Sequence, residues 1–123
     1  MTKTLFLDDS EERQEIAQKY FGKYWGDVTW AWTTKQAIQA LKQSSYDLVF
    51  LDHDLGGEVF VDSKREDSGM EVVRWIVQNK PQIDTIVIHS WNLPAAKNME
   101  LYLRDAGYAV SRTPFSGNIF TVQ

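Results

Sequence analysis

Carboxylates, imidazoles, a hydroxyl and an amide stand at the ends of three short apolar runs. Asp8 and Asp9 follow Leu5-Phe6-Leu7, Asp52, His53 and Asp54 follow Leu48-Val49-Phe50-Leu51, and His89-Ser90-Trp91-Asn92 follows Thr85-Ile86-Val87-Ile88. Clustered carboxylates repel one another unless a cation, a proton or a basic side chain neutralises them. No lysine lies near the three tips, so a hard divalent ion (Mg2+ or Mn2+) held by Asp8, Asp9 and Asp52 is the simplest answer. The alternative is a set of solvated strand-end acids that cap helices, a role open to Asp8 or Asp9.

Imidazole titrates near neutral pH, which suits His53 and His89, the only two histidines, to proton transfer beside Asp52. Each could instead satisfy a backbone carbonyl. Ser90, Asn92, Lys97 and Asn98 are the candidate phosphate or substrate ligands, helped by the exposed amides of a helix starting nearby. Lys97 reads equally well as a solvated surface charge, and Asn98 as a residue bonding the preceding loop.

These residues meet only if the runs are neighbouring parallel strands, and the surrounding pattern predicts that they are. Apolar runs alternate with amphipathic stretches, the signature of repeated βα units. Strand one is expected over 3–8, strand two over 27–32, strand three over 47–52, strand four over 84–89 and strand five over 108–112. Between them, Ser10 is an N-cap followed by Glu11 and Glu12. Ile16, Ala17, Tyr20, Phe21 and Tyr24 share one helical face after it. Helix two starts at Thr33 or Thr34 and buries Ala37, Ile38 and Leu41. Helix three starts near Asp67 or Ser68 and buries Met70, Val73, Ile76 and Val77. Helix four runs from near Pro94 to Gly107.

The fold class is therefore α/β, a three-layer doubly wound domain. Its five-stranded parallel sheet has the order 2-1-3-4-5, and the fifth helix is short or missing, because little chain remains after Pro114. Ligands of such sheets bind beyond the carboxyl ends of the strands where the order reverses, here between strands one and three. The segment 55–66, with Gly56-Gly57 and Lys64-Arg65-Glu66, is longer than a βα connection needs and is a candidate to fold over the site.

Composition narrows the partners. A 123-residue chain is expected to form a single domain over 1–123. A net charge of −4 provides no extended nucleic-acid surface, although a small phosphorylated ligand at a local site is compatible with it. The absence of cysteine excludes a disulfide framework, a thiolate nucleophile and a cysteine zinc site. Neither a signal peptide nor a membrane span is apparent, which predicts a cytoplasmic protein. Among the five tryptophans, Trp91 is the candidate for stacking on a base, with a core role as its alternative.

The acid pair after strand one, the run ending in Asp52 and the hydroxyl of Ser90 resemble the receiver domains of two-component response regulators, from Leu5 to Pro114. That resemblance implies a flavodoxin-like receiver fold, with Asp52 as phosphoryl acceptor, Asp8 and Asp9 as Mg2+ acids and Ser90 as the hydroxyl contacting the phosphoryl group. Receivers carry a lysine just before the proline that follows strand five. Here Thr113 precedes Pro114, and Arg112 is one residue away on the opposite strand face.

A longer pattern is similar to the cyclic-phosphate-processing receiver domains: Leu5-Phe6-Leu7-Asp8-Asp9, then Leu51-Asp52-His53-Asp54-Leu55-Gly56, then His89-Ser90-Trp91-Asn92 with Asn98-Met99. This resemblance implies metal-assisted hydrolysis or binding of a cyclic phosphate ester, either a cyclic nucleotide or an RNA cyclic phosphate. Asp52, His53 and His89 would then be catalytic, and Ser90, Asn92, Lys97 and Asn98 would orient the phosphate. Two other readings stand beside it. One is a stand-alone response regulator receiver phosphorylated on Asp52, and the other is a non-catalytic module for a phosphorylated ligand or a protein partner.

Overall fold

The parallel register carries the chemistry of this chain, because it lines up the strand ends residue by residue. A computed structural model describes residues 2–53, 68–90 and 92–113, and the backbone alone for residues 20–25. Its elements are β1 (Lys3–Leu7), α1 (Glu11–Trp25), β2 (Asp27–Ala31), α2 (Thr34–Gln43), β3 (Tyr46–Leu51), α3 (Gly69–Asn79), β4 (Ile83–Ile88), α4 (Leu93–Asp105) and β5 (Val110–Arg112). The sheet order is β2-β1-β3-β4-β5 and every pairing is parallel, as expected.

Sequence and register agree because strand interiors are apolar and their flanks are turn formers. Leu5, Phe6, Leu7, Val49, Phe50 and Leu51 are all buried, as a central strand covered on both faces requires. The pleat sends alternate residues to opposite layers. Leu5, Leu7, Val49, Leu51, Ile86 and Ile88 pack with residues of α2, α3 and α4, including Leu41, Val73, Ile76 and Met99. Phe6 and Phe50 pack with Ala17 and Ile16 of α1, together with Val28, Trp30 and Val87. The sheet is thus wound on both sides. Trp32 falls just past the end of β2 and is 41% exposed, because the chain has already turned toward α2.

Helix starts follow their caps. The Ser10 hydroxyl accepts from Arg13 N, and Thr33 and Gln36 form a reciprocal capping box. Helix α4 starts at Leu93, beside Pro94 as expected; the Asn92 side chain caps it by accepting from Ala95 N, and Pro94 falls in its first turn. Among the described residues no helix is long and apolar enough to cross a membrane. The expectations for Trp91, the 55–66 segment and the fifth helix, and the inward face of Tyr20, Phe21 and Tyr24, lie outside the described residues.

Candidate functional site

Extending the strand register by one residue builds the site. Leu7 aligns with Leu51, Leu51 with Ile88, and Ile88 with Arg112. The next residues, Asp8, Asp52, His89 and Thr113, therefore form one row across the sheet rim. His89 N donates to Leu51 O at 3.0 Å and Thr113 N to Ile88 O at 2.8 Å, which continues the ladder into that row. The row lies on the Phe6 side of the sheet, and the His89 ring stacks on Phe6 with centroids 4.9 Å apart and planes 16° from parallel. Helix α1 covers that face.

Asp8 is fully buried and saturated with partners. Oδ1 accepts from Ser10 N and Arg13 Nη2, both at 2.8 Å, and Oδ2 accepts from Arg13 Nε at 2.7 Å and His89 Nε2 at 3.0 Å. Burial alone would raise its pKa, but the bonds from His89 and Arg13 outweigh it and bring the pKa from 3.8 down to about 2. Asp52 meets the opposite fate. Burial is the main cause that lifts it from 3.8 to about 7; the Asp8 carboxylate adds to the rise, against the pull of His89 and Arg13. Its Oδ2 accepts no hydrogen bond from the described residues.

Arg13 is the functional residue that sequence reasoning passed over. Its Nη2 lies 3.5 Å from Asp52 Oδ2 and 3.7 Å from Asp9 Oδ1 while the same guanidinium holds Asp8 by two bonds. A basic side chain does neutralise the acids, and it comes from α1 rather than from a strand. Gln14 supports the arrangement by donating its amide to Asp8 O and Ala31 O, which ties α1 to both β1 and β2.

The two histidines, expected in one pocket with the acids, have different partners: His89 bonds Asp8, whereas His53 lies against Asn92. His53 follows Asp52 and so takes the other pleat direction, toward α3 and α4. It is fully buried, and Asn92 Nδ2 lies 3.4 Å from its Nδ1. Since Asn92 Oδ1 already accepts from Ala95 N, the amide orientation is fixed and Nδ2 donates, so His53 carries its proton on Nε2. Ser90 is buried beside this group and its hydroxyl accepts from Asn92 N at 3.1 Å. Gly69 N donates to His53 O at 2.8 Å, which seats the start of α3 against the strand end. Lys97 and Asn98 are exposed on α4. Arg112 is turned away from the acid row and pairs with Glu100 of α4 at 2.7 Å.

A divalent ion has a partial fit. Asp8, Asp52 and His89 each offer a ligand atom within 4.8 Å of the others, and Asp52 Oδ2 is buried without a hydrogen bond. Carboxylates suit Mg2+ or Mn2+, whereas an imidazole ligand favours later transition metals. Asp8 could ligate an ion only after releasing Arg13.

Comparison with known proteins gives the same architecture. The family model described as "Cyclic-phosphate processing Receiver domain" matches residues 3–105. The chain belongs to this family. In sequence, 53 residues (43% of the chain) are 40% identical to part of the autoinducer 2 sensor kinase/phosphatase LuxQ of Vibrio cholerae, and they span only 6% of that protein. In structure, the chain is similar to the response regulator TrrA of Thermotoga maritima, solved in complex with Mg(2+)-BeF, with TM-score 0.69 and 21% identity over 96% of this chain and 90% of that one. It is also similar to the non-phosphorylated HemR receiver domain of Leptospira biflexa, with TM-score 0.68 and 21% identity over 93% and 82% of the two chains. At those identities the structural matches establish the receiver fold alone.

Proposed function

We propose that this member of the cyclic-phosphate processing receivers hydrolyses a cyclic phosphate ester at the Asp8–Asp52–His89 row. The observation that carries the reading is the opposed pKa shifts of two neighbouring carboxylates, Asp8 lowered to about 2 and Asp52 raised to about 7. Environments that push paired groups apart in this way assign one as a fixed charge and the other as a proton carrier at neutral pH. Asp8 is the fixed charge that orients His89 and Arg13. Asp52 takes the proton of the attacking water as the new P–O bond forms, and His89 returns a proton to the ester oxygen as the ring P–O bond breaks. His53, Ser90 and Asn92, with Lys97 and Asn98, are assigned to binding the phosphate from the α4 side. Asp52 and Asp9, joined by Asp8 once freed, would hold a divalent ion, whose contribution is to neutralise charge on the phosphoryl oxygens.

The test is incubation with cyclic mononucleotides, cyclic oligonucleotides and RNA ending in a cyclic phosphate, with and without Mg2+ or Mn2+. Ring opening that is lost in both Asp52→Asn and His89→Ala supports the assignment. Ring opening that survives in His89→Ala, or no ring opening of any of these esters, refutes it.

A second reading is favoured by the place of Asp52 at the end of β3 in a receiver fold: phosphorylation of that carboxylate. It predicts a labile acyl phosphate formed from a small phosphodonor and absent in Asp52→Asn. The chemistry against it is local, since the row ends in Thr113 and the adjacent Arg112 is engaged with Glu100.

A further inference from the structure

We propose that Arg13 is a tethered competitor of divalent cations, occupying the carboxylate row that an ion must enter and leaving it when an ion binds. The inference deepens the cation assignment made above, and it holds whether or not a cyclic ester is the substrate. Three observations carry it. The guanidinium engages both oxygens of Asp8 through Nε and Nη2. The same Nη2 is 3.5 Å from Asp52 Oδ2 and 3.7 Å from Asp9 Oδ1, so one cationic group faces all three acids. Asp52 Oδ2 nonetheless accepts no hydrogen bond from the described residues, which leaves a buried carboxyl oxygen unsatisfied 3.5 Å from that guanidinium.

Arg13 is able to leave. Its side chain is 32% exposed and rides on the first turn of α1, where rotation of its own torsions moves the guanidinium toward solvent without disturbing the helix. Asp8 then retains Ser10 N and His89 Nε2 as partners. A dication and a guanidinium cannot share the row, because like charges a few ångströms apart in a buried setting repel strongly. The ground state is therefore neutralised by an internal arginine, and binding of an ion is an exchange of one cation for another.

The experiment measures Mn2+ binding by electron paramagnetic resonance and calorimetry, with no substrate present. Arg13→Gln removes the charge and keeps a polar side chain, and it should bind Mn2+ roughly tenfold or more tightly than the native protein. Arg13→Lys keeps the charge but not the two-nitrogen grip on Asp8, and should fall between them. Adding Asp52→Asn to Arg13→Gln should abolish the gain. If Arg13→Gln fails to fold, the native protein still decides the matter. Saturating Mg2+ should shift the Arg13 Nε–H resonance as its bond to Asp8 is broken. Equal or weaker Mn2+ binding by a folded Arg13→Gln, or an Nε–H signal indifferent to bound Mg2+, overturns the proposal. Because the readout is ion binding, failure of the esterase reading would leave it standing, and the reverse is also true.

Discussion

Asp8 Oδ2 and His89 Nε2 lie 3.0 Å apart although 81 residues separate them in the chain. The contact exists because β1 and β4 both border β3, and because the register places the two residues one step past Leu7 and Ile88. A buried carboxylate with this many partners is a keystone for both layers on its side of the sheet. Replacing Asp8 by Asn leaves Arg13 and His89 facing a neutral group. Breaking a buried pair in this way costs about 3–5 kcal/mol. Asp9→Asn, whose contact with Arg13 is 3.7 Å and more exposed, should cost at most ~1 kcal/mol. Urea denaturation at pH 7 compares the two.

The raised pKa of Asp52 gives the fold an unusual pH response. Between its ordinary value of 3.8 and about 7 the folded protein holds a proton on Asp52 that the unfolded chain has lost. Stability contributed by this group therefore falls as pH rises through that window. Asp8 acts in the opposite sense, and its contribution is lost as pH falls from 3.8 toward 2. Melting should accordingly occur at a higher temperature at pH 5 than at pH 8. Asp52→Asn should raise the melting temperature at pH 8 and flatten the profile above pH 4. A variant that melts lower than the native protein at pH 8 would contradict this account.

Gly69 opens α3 hard against the strand end. A Cβ on it would stand 1.9 Å from Asp52 O and 2.7 Å from His53 Cα, and both of those are backbone atoms. Helix propensity alone would make Gly69→Ala stabilising by roughly 0.5–1 kcal/mol. The crowding predicts the opposite sign, a loss of about 1–3 kcal/mol as α3 is pushed off the site. Chemical denaturation of the single variant decides between them.

Asn92 serves two masters, the cap of α4 and the imidazole of His53. Serine caps helices about as well as asparagine, but its shorter side chain cannot span to His53. Asn92→Ser should therefore keep stability within about 1 kcal/mol while releasing His53. The chemical shifts of the His53 ring should move, and phosphate-ester binding should weaken, with the melting temperature nearly unchanged. A large drop in melting temperature would assign Asn92 to folding alone.

The strands, helices and sheet order were legible because each depends on local pattern: apolar runs ending in acids, hydroxyl caps, and prolines and glycines just outside helices. The row of Asp8, Asp52 and His89 was legible too, since it needs only that parallel strands of similar length end level. What escaped was side-chain reach and pleat direction. Arg13 sits four residues after Asp9 on a helix, and such a spacing usually marks a solvated surface pair. One signal was available. A cation in the first turn of a helix opposes the dipole, so an arginine at that place, next to a double acid, needs a carboxylate partner to offset the cost. The contact of His53 with Asn92 escaped for a simpler reason. It is adjacent in sequence to Asp52, and adjacency along a strand means opposite faces. The capping role of Asn92 went unread because Pro94 marked the helix start near itself, two residues further on.

The partners of Asp8 also emerge from the ribosome at very different times. Arg13 is five residues downstream and can close on the acid as soon as α1 forms. His89 arrives 81 residues after Asp8, roughly 4–16 seconds later at ordinary elongation rates. Throughout that interval the nascent chain already carries the arginine that pairs with this buried acid, and the histidine is added only once β4 has been made.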